Sequence, residues 1–430
     1  MADSRHKDVH GSTDLLHLLT CPTCRSWAIG RLLDQRTATP LEDTQEDLYA
    51  AVWARLEERA PEVIEQTRQR REAVERLLEE LMQAPPGRRL GVLQQARFRN
   101  LDLIDRLLEE SHACQLTEPA RGAELALLAI RLASLFGEGD EEAAAALPRA
   151  FCLGANARRL ELRPKAAEAL LAKSVPFLGV RMERAFYCRT LALLRWEQGR
   201  TDEADALLQH AACLFASDGL ERDVGACLTL LGLLLQEEGG QGDALSLLVR
   251  GWAEMDRDGR PLLALRGGLV LAACLAQAEQ MERARGVLRE AWQLFLRVTD
   301  PEEMVRVYWL EGRALARLGD HEEALHVLES VRRQLVAEPS PAEAALVSVD
   351  LALALAESGR AKEAGALAGT LESYLSGVPA LAFAAGKIRL LARLAERRDP
   401  RLRGAAHATA IVLRRKLRAR GLRIKPVPFA

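Results

Sequence analysis

The apolar residues of this chain recur every three to four positions over long stretches, which is the period of an amphipathic α-helix. One stretch, from Ala185 to Gln198, ends at Gly199, a residue that can adopt the positive φ of a helix C′ position. After a short polar turn, a second apolar-periodic stretch places the small residue Ala204 where two helices would approach closely. The pattern predicts an αα-hairpin, which cannot bury both of its apolar faces alone and therefore stacks on its neighbours.

The hairpin pattern repeats with a period of forty residues. In five successive units, a turn residue is followed by a small residue five positions later and by another apolar or small residue nine positions later. The units are Gly199, Ala204 and Leu208; Gly239, Ala244 and Leu248; Glu279, Ala284 and Leu288; Gly319, Ala324 and Leu328; and Gly359, Ala364 and Ala368. This constant register predicts one continuous helical array.

The repeat resembles the tetratricopeptide repeat, although its forty residues exceed the thirty-four of that family's usual unit. The small or apolar signature positions match Leu191-Ala192, Leu231-Gly232 and Leu271-Ala272, with the alanines and glycines given above. The resemblance implies an all-α fold, a right-handed α-α superhelix whose first helices line a concave groove. We assign residues 86–380 to this array, as seven stacked hairpins.

The segments on either side of the array are predicted to be helical as well. Residues 1–85 form a small N-terminal module with helices near 41–59 and 62–83, and residues 381–430 form basic capping helices. The segment from Lys387 to Lys425 carries a formal charge of +12, whereas the whole chain carries −2. A nucleic acid could meet these arginines, but a solvated capping helix is the favoured interpretation, since few aromatic residues accompany them.

The composition agrees with a soluble helical protein. Hydrophobic residues make up 49% of the chain, charged residues 28% and aromatic residues only 4%. No apolar stretch is long enough for a membrane span, and the polar N-terminus lacks the apolar core of a secretory signal. Six scattered cysteines are expected to pack as small hydrophobic residues, namely Cys114, Cys152, Cys188, Cys213, Cys227 and Cys274. We therefore expect a cytoplasmic protein, and no motif indicates an enzyme.

The tetratricopeptide resemblance also implies which residues line the groove. Carried over residue by residue, its positions include arginines and tryptophans that suit an extended acidic peptide, because guanidinium groups bind carboxylates in a bidentate manner. These residues are Arg189, Trp196, Arg266, Arg306, Trp309, Arg313 and Arg317. An alternative interpretation is that several of them are core or solvated, since Leu193, Leu233, Leu269 and Leu353 share the face.

The N-terminal segment contains a second candidate site, with the spacing His17-x3-Cys21-x2-Cys24. On a helix, or with a new helix beginning at Pro22, this spacing can bring three ligands to one tetrahedral zinc ion. Two other interpretations stay open at this point, metal-free helices and a redox-active thiol pair. The spacing resembles the zinc-binding anti-sigma domain, which implies an upstream fourth ligand, with His10 the better candidate and His6 the alternative.

Two functions follow from these observations. The first is a protein interaction scaffold or regulator that binds a protein or peptide partner through the groove of the repeats. The second, implied by the anti-sigma resemblance, is a transcriptional regulator in which a zinc-stabilised N-terminal module holds a sigma factor while the repeats sense a signal. Zinc is the one cofactor expected, in a structural role, because no catalytic acid or base accompanies the candidate ligands.

Overall fold

A computed structural model describes residues 43–115, 117–137, 140–238, 241–298, 301–337, 341–375, 382–399 and 401–419. All regular secondary structure in these ranges is helical, as the sequence predicts. The described residues fall into two compact units. Unit one contains those up to Leu107 together with Leu128–Ala144, and unit two contains Leu108–Leu127 together with those from Ala145 onward.

The N-terminal helices differ in one respect from the prediction. Helix α1 runs without interruption from Asp43 to Gln83 and contains Pro61, where two helices are expected from the sequence. Proline removes one backbone hydrogen bond, and in a long helix the remaining bonds let the backbone continue past it. The next helices are α2 (Pro86–Leu93), α3 (Leu101–Cys114), α4 (Pro119–Ala133) and α5 (Glu141–Leu160), with a short 3₁₀ turn at Ala96–Phe98.

The remaining helices all belong to unit two. They are α6 (Pro164–Ser174), α7 (Arg181–Glu197), α8 (Thr201–Ser217), α9 (Glu221–Glu238), α10 (Gln241–Glu254), α11 (Pro261–Gln277), α12 (Met281–Phe295), α13 (Pro301–Leu318), α14 (His321–Ala337), α15 (Pro341–Glu357), α16 (Ala361–Leu375), α17 (Ala382–Glu396) and α18 (Leu402–Ala419). From α7 to α16, each odd-numbered helix forms a hairpin with the helix that follows it. The forty-residue units of the sequence are these hairpins.

The predicted register explains how each hairpin packs. The small residue that begins each second helix is fully buried in all five units, at Ala204, Ala244, Ala284, Ala324 and Ala364. The opposing position on the first helix is just as restricted. A Cβ atom added to Gly232 would lie 2.5 Å from Leu248 Cγ, and one added to Gly312 would lie 2.7 Å from Leu328 Cγ. Small residues therefore set the close spacing of the two helices.

The turn residues adopt the backbone conformation that the pattern predicts. Gly199, Gly319 and Gly359 have φ values of 76°, 86° and 81°. Glu279 holds the same position in the third unit, with a φ of 60°, although an L side chain rarely adopts this region. The fold therefore imposes a left-handed residue at every described turn of this type, and one unit makes it without glycine.

Most of the cysteines are part of the core. Cys114, Cys152, Cys188, Cys227 and Cys274 are buried free thiols, whereas Cys213 is exposed, so the prediction for Cys213 is wrong. Cys213 lies on the outer side of α8, where the residues at its helical neighbours face solvent. Burial raises the pKa of Cys152 to about 12 and that of Cys227 to about 11, which keeps both as thiols. Among the described residues, no helix has the length and apolar character that crossing a bilayer requires.

Candidate binding face of the helical repeats

The polar side chains of unit two converge where the first helices of successive hairpins lie side by side. We call this surface the first-helix face and define it by the inward polar residues of α5, α7, α9, α11, α13, α15 and α18. Its residues form ion pairs and hydrogen bonds that join α7 to α9, α9 to the residue before α11, and α13 to α15. The sequence separation within a pair is close to one repeat, between 34 and 41 residues in these four bonds.

Helix α13 supplies four of the predicted groove residues. Arg306, Trp309, Arg313 and Arg317 recur every three to four positions, which places them along one side of the helix. Their partners lie on α15 or at its end. Arg306 Nη2 lies 3.2 Å from Glu343 Oε1, and Trp309 Nε1 donates a 2.8 Å hydrogen bond to Asp350 Oδ2.

Arg313 and Arg317 are held more loosely than Arg306. Arg313 Nε lies 3.7 Å from Asp350 Oδ2, and Arg317 Nη1 lies 3.8 Å from Glu357 Oε1. Both distances exceed that of a hydrogen bond, and neither guanidinium donates one to any residue that the structure describes. About a fifth of each side chain is exposed, 21% for Arg313 and 20% for Arg317. Burial lowers the pKa of Arg317, which shows that its charge is incompletely compensated.

Two of the carboxylates of this set, Glu343 and Glu357, are more buried than the arginines. Glu343 is 5% exposed and Glu357 is 8% exposed. Glu357 also accepts a hydrogen bond from Arg403 Nε on α18, so it joins three helices of unit two. Both acids have arginine partners, and an unpaired buried carboxylate would carry a large desolvation cost.

The predicted residues of the earlier repeats are also engaged within the chain. Arg189 on α7 donates a 2.8 Å hydrogen bond to Asp223 Oδ1 on α9, and Arg260 donates a 2.5 Å bond to the same oxygen. Trp196 is 2% exposed, and its Nε1 donates to Glu237 Oε2 at 3.2 Å. Arg266 is 5% exposed in the middle of α11.

The apolar residues that share this face belong to the core. Leu193, Leu233, Leu269 and Leu353 are 4%, 9%, 1% and 8% exposed. Their burial agrees with the alternative interpretation of those four positions. Arg313 and Arg317 are more accessible than these leucines.

The residues that complete this face were not predicted from the sequence. They are the acidic partners of the predicted basic and aromatic residues and two further cations, namely Asp223, Glu343, Asp350, Glu357, Arg149 and Arg260. One sequence signal identifies the acids, because each lies 34 to 41 residues after its partner at the matching turn of the next first helix. Such an offset is visible only after the forty-residue register has been found.

The other predicted sites lie outside the described part of the chain. The candidate zinc ligands all precede residue 43, namely His6, His10, His17, Cys21 and Cys24. The structure therefore does not test the zinc prediction. The end of the basic tail, residues 420–430, also lies outside it. Within the described residues, no group of three or more His, Cys, Asp or Glu side chains is arranged to hold a metal ion.

Comparisons with known proteins give structural matches of low similarity. No family model matches the chain, and no curated protein does. A Rap protein crystallised with Competence and Sporulation Factor is 12% identical, covers 75% of this chain and 99% of its own, and gives a TM-score of 0.49. Aspartyl phosphate phosphatase F from Bacillus subtilis is 14% identical over 84% and 91%, at 0.47. BtubC from P. vanneervenii is 17% identical over 52% and 93%, at 0.40.

These similarities are too low to define a ligand or an activity for this chain. The helical-repeat class rests instead on its own helices and register. The contacts of the first-helix face are therefore the basis for any statement about function.

Proposed function

We propose that this protein is a helical-repeat scaffold or regulator, and that its first-helix face binds an extended, carboxylate-bearing segment of a protein or peptide partner. The observation that carries the proposal is the state of Arg313 and Arg317. Each is a partly exposed guanidinium that faces a single carboxylate beyond hydrogen-bond distance and keeps its donors unused. A guanidinium has five N–H donors in a planar fork, which matches a carboxylate.

The geometry of α13 supports an extended ligand. Arg306, Arg313 and Arg317 are spread over eleven residues of one helix, which corresponds to about 16 Å at the helical rise. An extended peptide covers that length with about five residues. Alternate side chains of such a peptide point the same way and are about 7 Å apart, close to the rise of about 6 Å between Arg313 and Arg317. Acidic residues at alternate positions would therefore meet these two arginines.

The test is a selection of random peptides displayed on phage against the purified protein. We expect the selected peptides to be enriched in Asp and Glu at alternate positions. The same selection on the variant Arg313→Gln/Arg317→Gln is expected to lose that enrichment. The matched control is Arg332→Gln/Arg333→Gln, which changes two arginines of α14 that pair with Glu329. Equal acidic enrichment on the wild type and the double variant would reject this binding face.

A second proposal concerns the N-terminal module, and the spacing of His17, Cys21 and Cys24 supports it. We propose that these residues, with His10, hold a structural zinc ion, and that the module binds a sigma factor. Purified protein is expected to contain one zinc ion per chain, lost in Cys21→Ser and kept in Cys213→Ser, where the thiol is exposed and isolated. Wild-type protein without zinc would end the metal proposal, and failure to co-purify a sigma factor would end the anti-sigma one.

We also propose that the protein works in a reducing compartment, such as the cytoplasm. Five buried cysteines support this location, because each is a free thiol in the described core and none of them forms a disulfide. Fractionation of cells with an antibody to the protein tests it, with recovery in the membrane or secreted fraction as the contrary result.

A further inference from the structure

A chain of hydrogen bonds in unit two determines the state of His112. Arg159 is 1% exposed, and its Nε and Nη2 donate to Asn156 Oδ1 at 3.0 and 2.7 Å. Asn156 Nδ2 then donates to Gln115 Oε1 at 2.8 Å, and Gln115 Nε2 lies 3.1 Å from His112 Nδ1. Because arginine only donates, the direction of each following bond is fixed. His112 Nδ1 is therefore the acceptor, and the ring proton is on Nε2.

His112 is a side chain of unit two that keeps exposed surface. Burial is the largest cause that lowers its pKa to about 4. The charges of Arg189, Arg149 and Arg260 lower the pKa further, while Asp223 opposes them. At neutral pH the ring is uncharged, and Nε2–H is a donor with no partner among the described residues.

The arginines that act on His112 outnumber the carboxylates that they share. Arg189 and Arg260 both donate to Asp223 Oδ1, so one negative charge serves two guanidinium groups. Arg149, on α5 two helical turns before Asn156, is exposed and forms no ion pair with any residue that the structure describes. These three arginines and Asp223 carry a formal charge of +2. Burial and the nearby Arg260 lower the pKa of Arg189, as expected for cations that repel each other.

Aromatic rings fix the orientation of the central guanidinium. Arg189 Cζ lies 5.0 Å from the ring centroid of Phe186 and 5.5 Å from that of Phe215. The two rings pack edge to face at 5.3 Å. Such contacts hold a guanidinium in one plane, which leaves its free edge preorganised for a ligand.

We propose that His112, Arg149, Arg189 and Arg260 form a binding site for an oxyanion that carries close to two negative charges. Three guanidinium groups would bind its oxygens, the neutral His112 Nε2–H would donate a further hydrogen bond, and Asp223 would position two of the arginines. A phosphoryl group on a partner and a free inorganic dianion share this chemistry. This site adds an anion subsite to the first-helix face, and it rests on the proposed function only for its biological use.

The first experiment measures thermal unfolding of the full chain with increasing sulfate, methyl phosphate or acetate at constant ionic strength. We expect saturable stabilisation by the two doubly charged anions and little by acetate. In Arg149→Gln, the apparent dissociation constant for sulfate is expected to rise about tenfold, which corresponds to one lost charge-assisted contact. Arg289→Gln is the matched control, because Arg289 is also exposed and without an ion pair in the described residues.

Sulfate stabilises most proteins by exclusion from their surfaces, and this general effect is the same in both variants. Only binding at the proposed site makes the sulfate response of Arg149→Gln differ from that of Arg289→Gln. The same sulfate response in wild type and Arg149→Gln would overturn the proposal, and acetate binding as tight as sulfate would overturn the double charge. No peptide takes part in this titration. Its failure would therefore leave the acidic-peptide proposal standing, and failure of the peptide selection would leave this site standing.

The second experiment follows the ring of His112 by NMR, with its resonance identified by loss in His112→Asn. A bound dianion compensates the surrounding arginines, so the pKa of His112 is expected to rise by about one unit at saturating sulfate. The other histidine resonances provide the internal control. An unchanged titration of His112 in saturating sulfate would contradict the proposed site.

Discussion

Two regions of the first-helix face use the same arrangement with different charge balance. Between α13 and α15, three arginines, Arg306, Arg313 and Arg317, face three carboxylates. Around Asp223, two arginines share a single carboxylate and Arg149 adds a third positive charge. Arg403 of α18 adds a fourth positive charge at Glu357, so the α13–α15 region carries a formal charge of +1, and Arg313 and Arg317 are loosely held there. The Asp223 region carries +2 and has short bonds. The two regions have similar numbers of arginines. They differ in how many carboxylates accompany those arginines, and therefore in local net charge.

The largest expected effect comes from removing the shared carboxylate. Asp223→Asn removes the carboxylate that Arg189 and Arg260 share, and both arginines are largely buried, at 15% and 19% exposure. Breaking a buried ion pair from one side costs about 3–5 kcal/mol, and we expect a loss of that order in the free energy of unfolding. Urea titration measures it.

The same substitution in the α13–α15 region sharpens this comparison. Asp350→Asn keeps an oxygen that can accept the hydrogen bond from Trp309. It removes the negative charge that faces Arg313, whose Nε lies 3.7 Å from Asp350 Oδ2. We expect a loss of only about 1 kcal/mol. The surface control is Asp218→Asn, whose pair with Arg181 is exposed, with an effect within about 0.5 kcal/mol. Equal losses for Asp223→Asn and Asp350→Asn would contradict the distinction between the regions.

A second large effect on stability is expected from a buried acidic residue of α13. Glu311 occupies the position that holds Leu231, Leu271 and Leu351 in other units, and it is 6% exposed. Burial, followed by the nearby Glu323, raises its pKa to about 7. Folding therefore favours the protonated form, so stability falls as the pH rises from about 4.5 to about 7 and stays low above that.

The replacement Glu311→Leu removes this pH-dependent penalty. From the shift of its pKa, we expect a gain on the order of 3 kcal/mol at pH 8 and little gain from this cause at pH 4. Urea titrations of wild type and variant at both pH values measure it. Glu311→Gln is the control that removes the titration without restoring the leucine. A gain of the same size at pH 4 and pH 8 would show that the charge of Glu311 is not the cause.

The smallest expected effect concerns the turn between α11 and α12, which lies between the two regions. Glu279→Gly replaces a left-handed L residue with the residue that the other turns use, so we expect about 0.5–1 kcal/mol of added stability. Thermal unfolding measures the change. In Gly319→Ala, the reverse substitution at an equivalent turn, the unfolding temperature is expected to fall. If Glu279→Gly destabilises the protein, the side chain of Glu279 has a role that the turn conformation does not explain.

The repeat architecture could be predicted from the sequence because its determinants are local and recur. The buried alanines such as Ala204 and the turn glycines such as Gly199 mark every hairpin. Two helices were predicted on either side of Pro61, because a proline usually ends a helix, but a single helix continues through it. Cys213 was predicted to be buried but is exposed, because the identity of a lone cysteine does not indicate which side of a helix it occupies.

The candidate binding face was predictable only in part, for a physical reason. The basic and aromatic positions followed from the tetratricopeptide resemblance, but their charge state depends on acids one repeat away, such as Asp223 and Glu357. The surroundings of His112 were not predictable, because His112 precedes the five units of constant register and its polar network joins α3 to α5. Contacts of this kind become visible only when the helices are placed in space.

The most direct test of the central claim is a charge-swap cycle between Arg313 and an acidic peptide obtained from the selection. Dissociation constants are measured for wild type and Arg313→Glu, each with the peptide and with a version in which the contacting Asp or Glu is Lys. The account predicts that each single change weakens binding at least tenfold and that the double change restores most of it. Single changes that do not weaken binding, or a double change that restores none of it, would contradict the assignment of the first-helix face as the binding site.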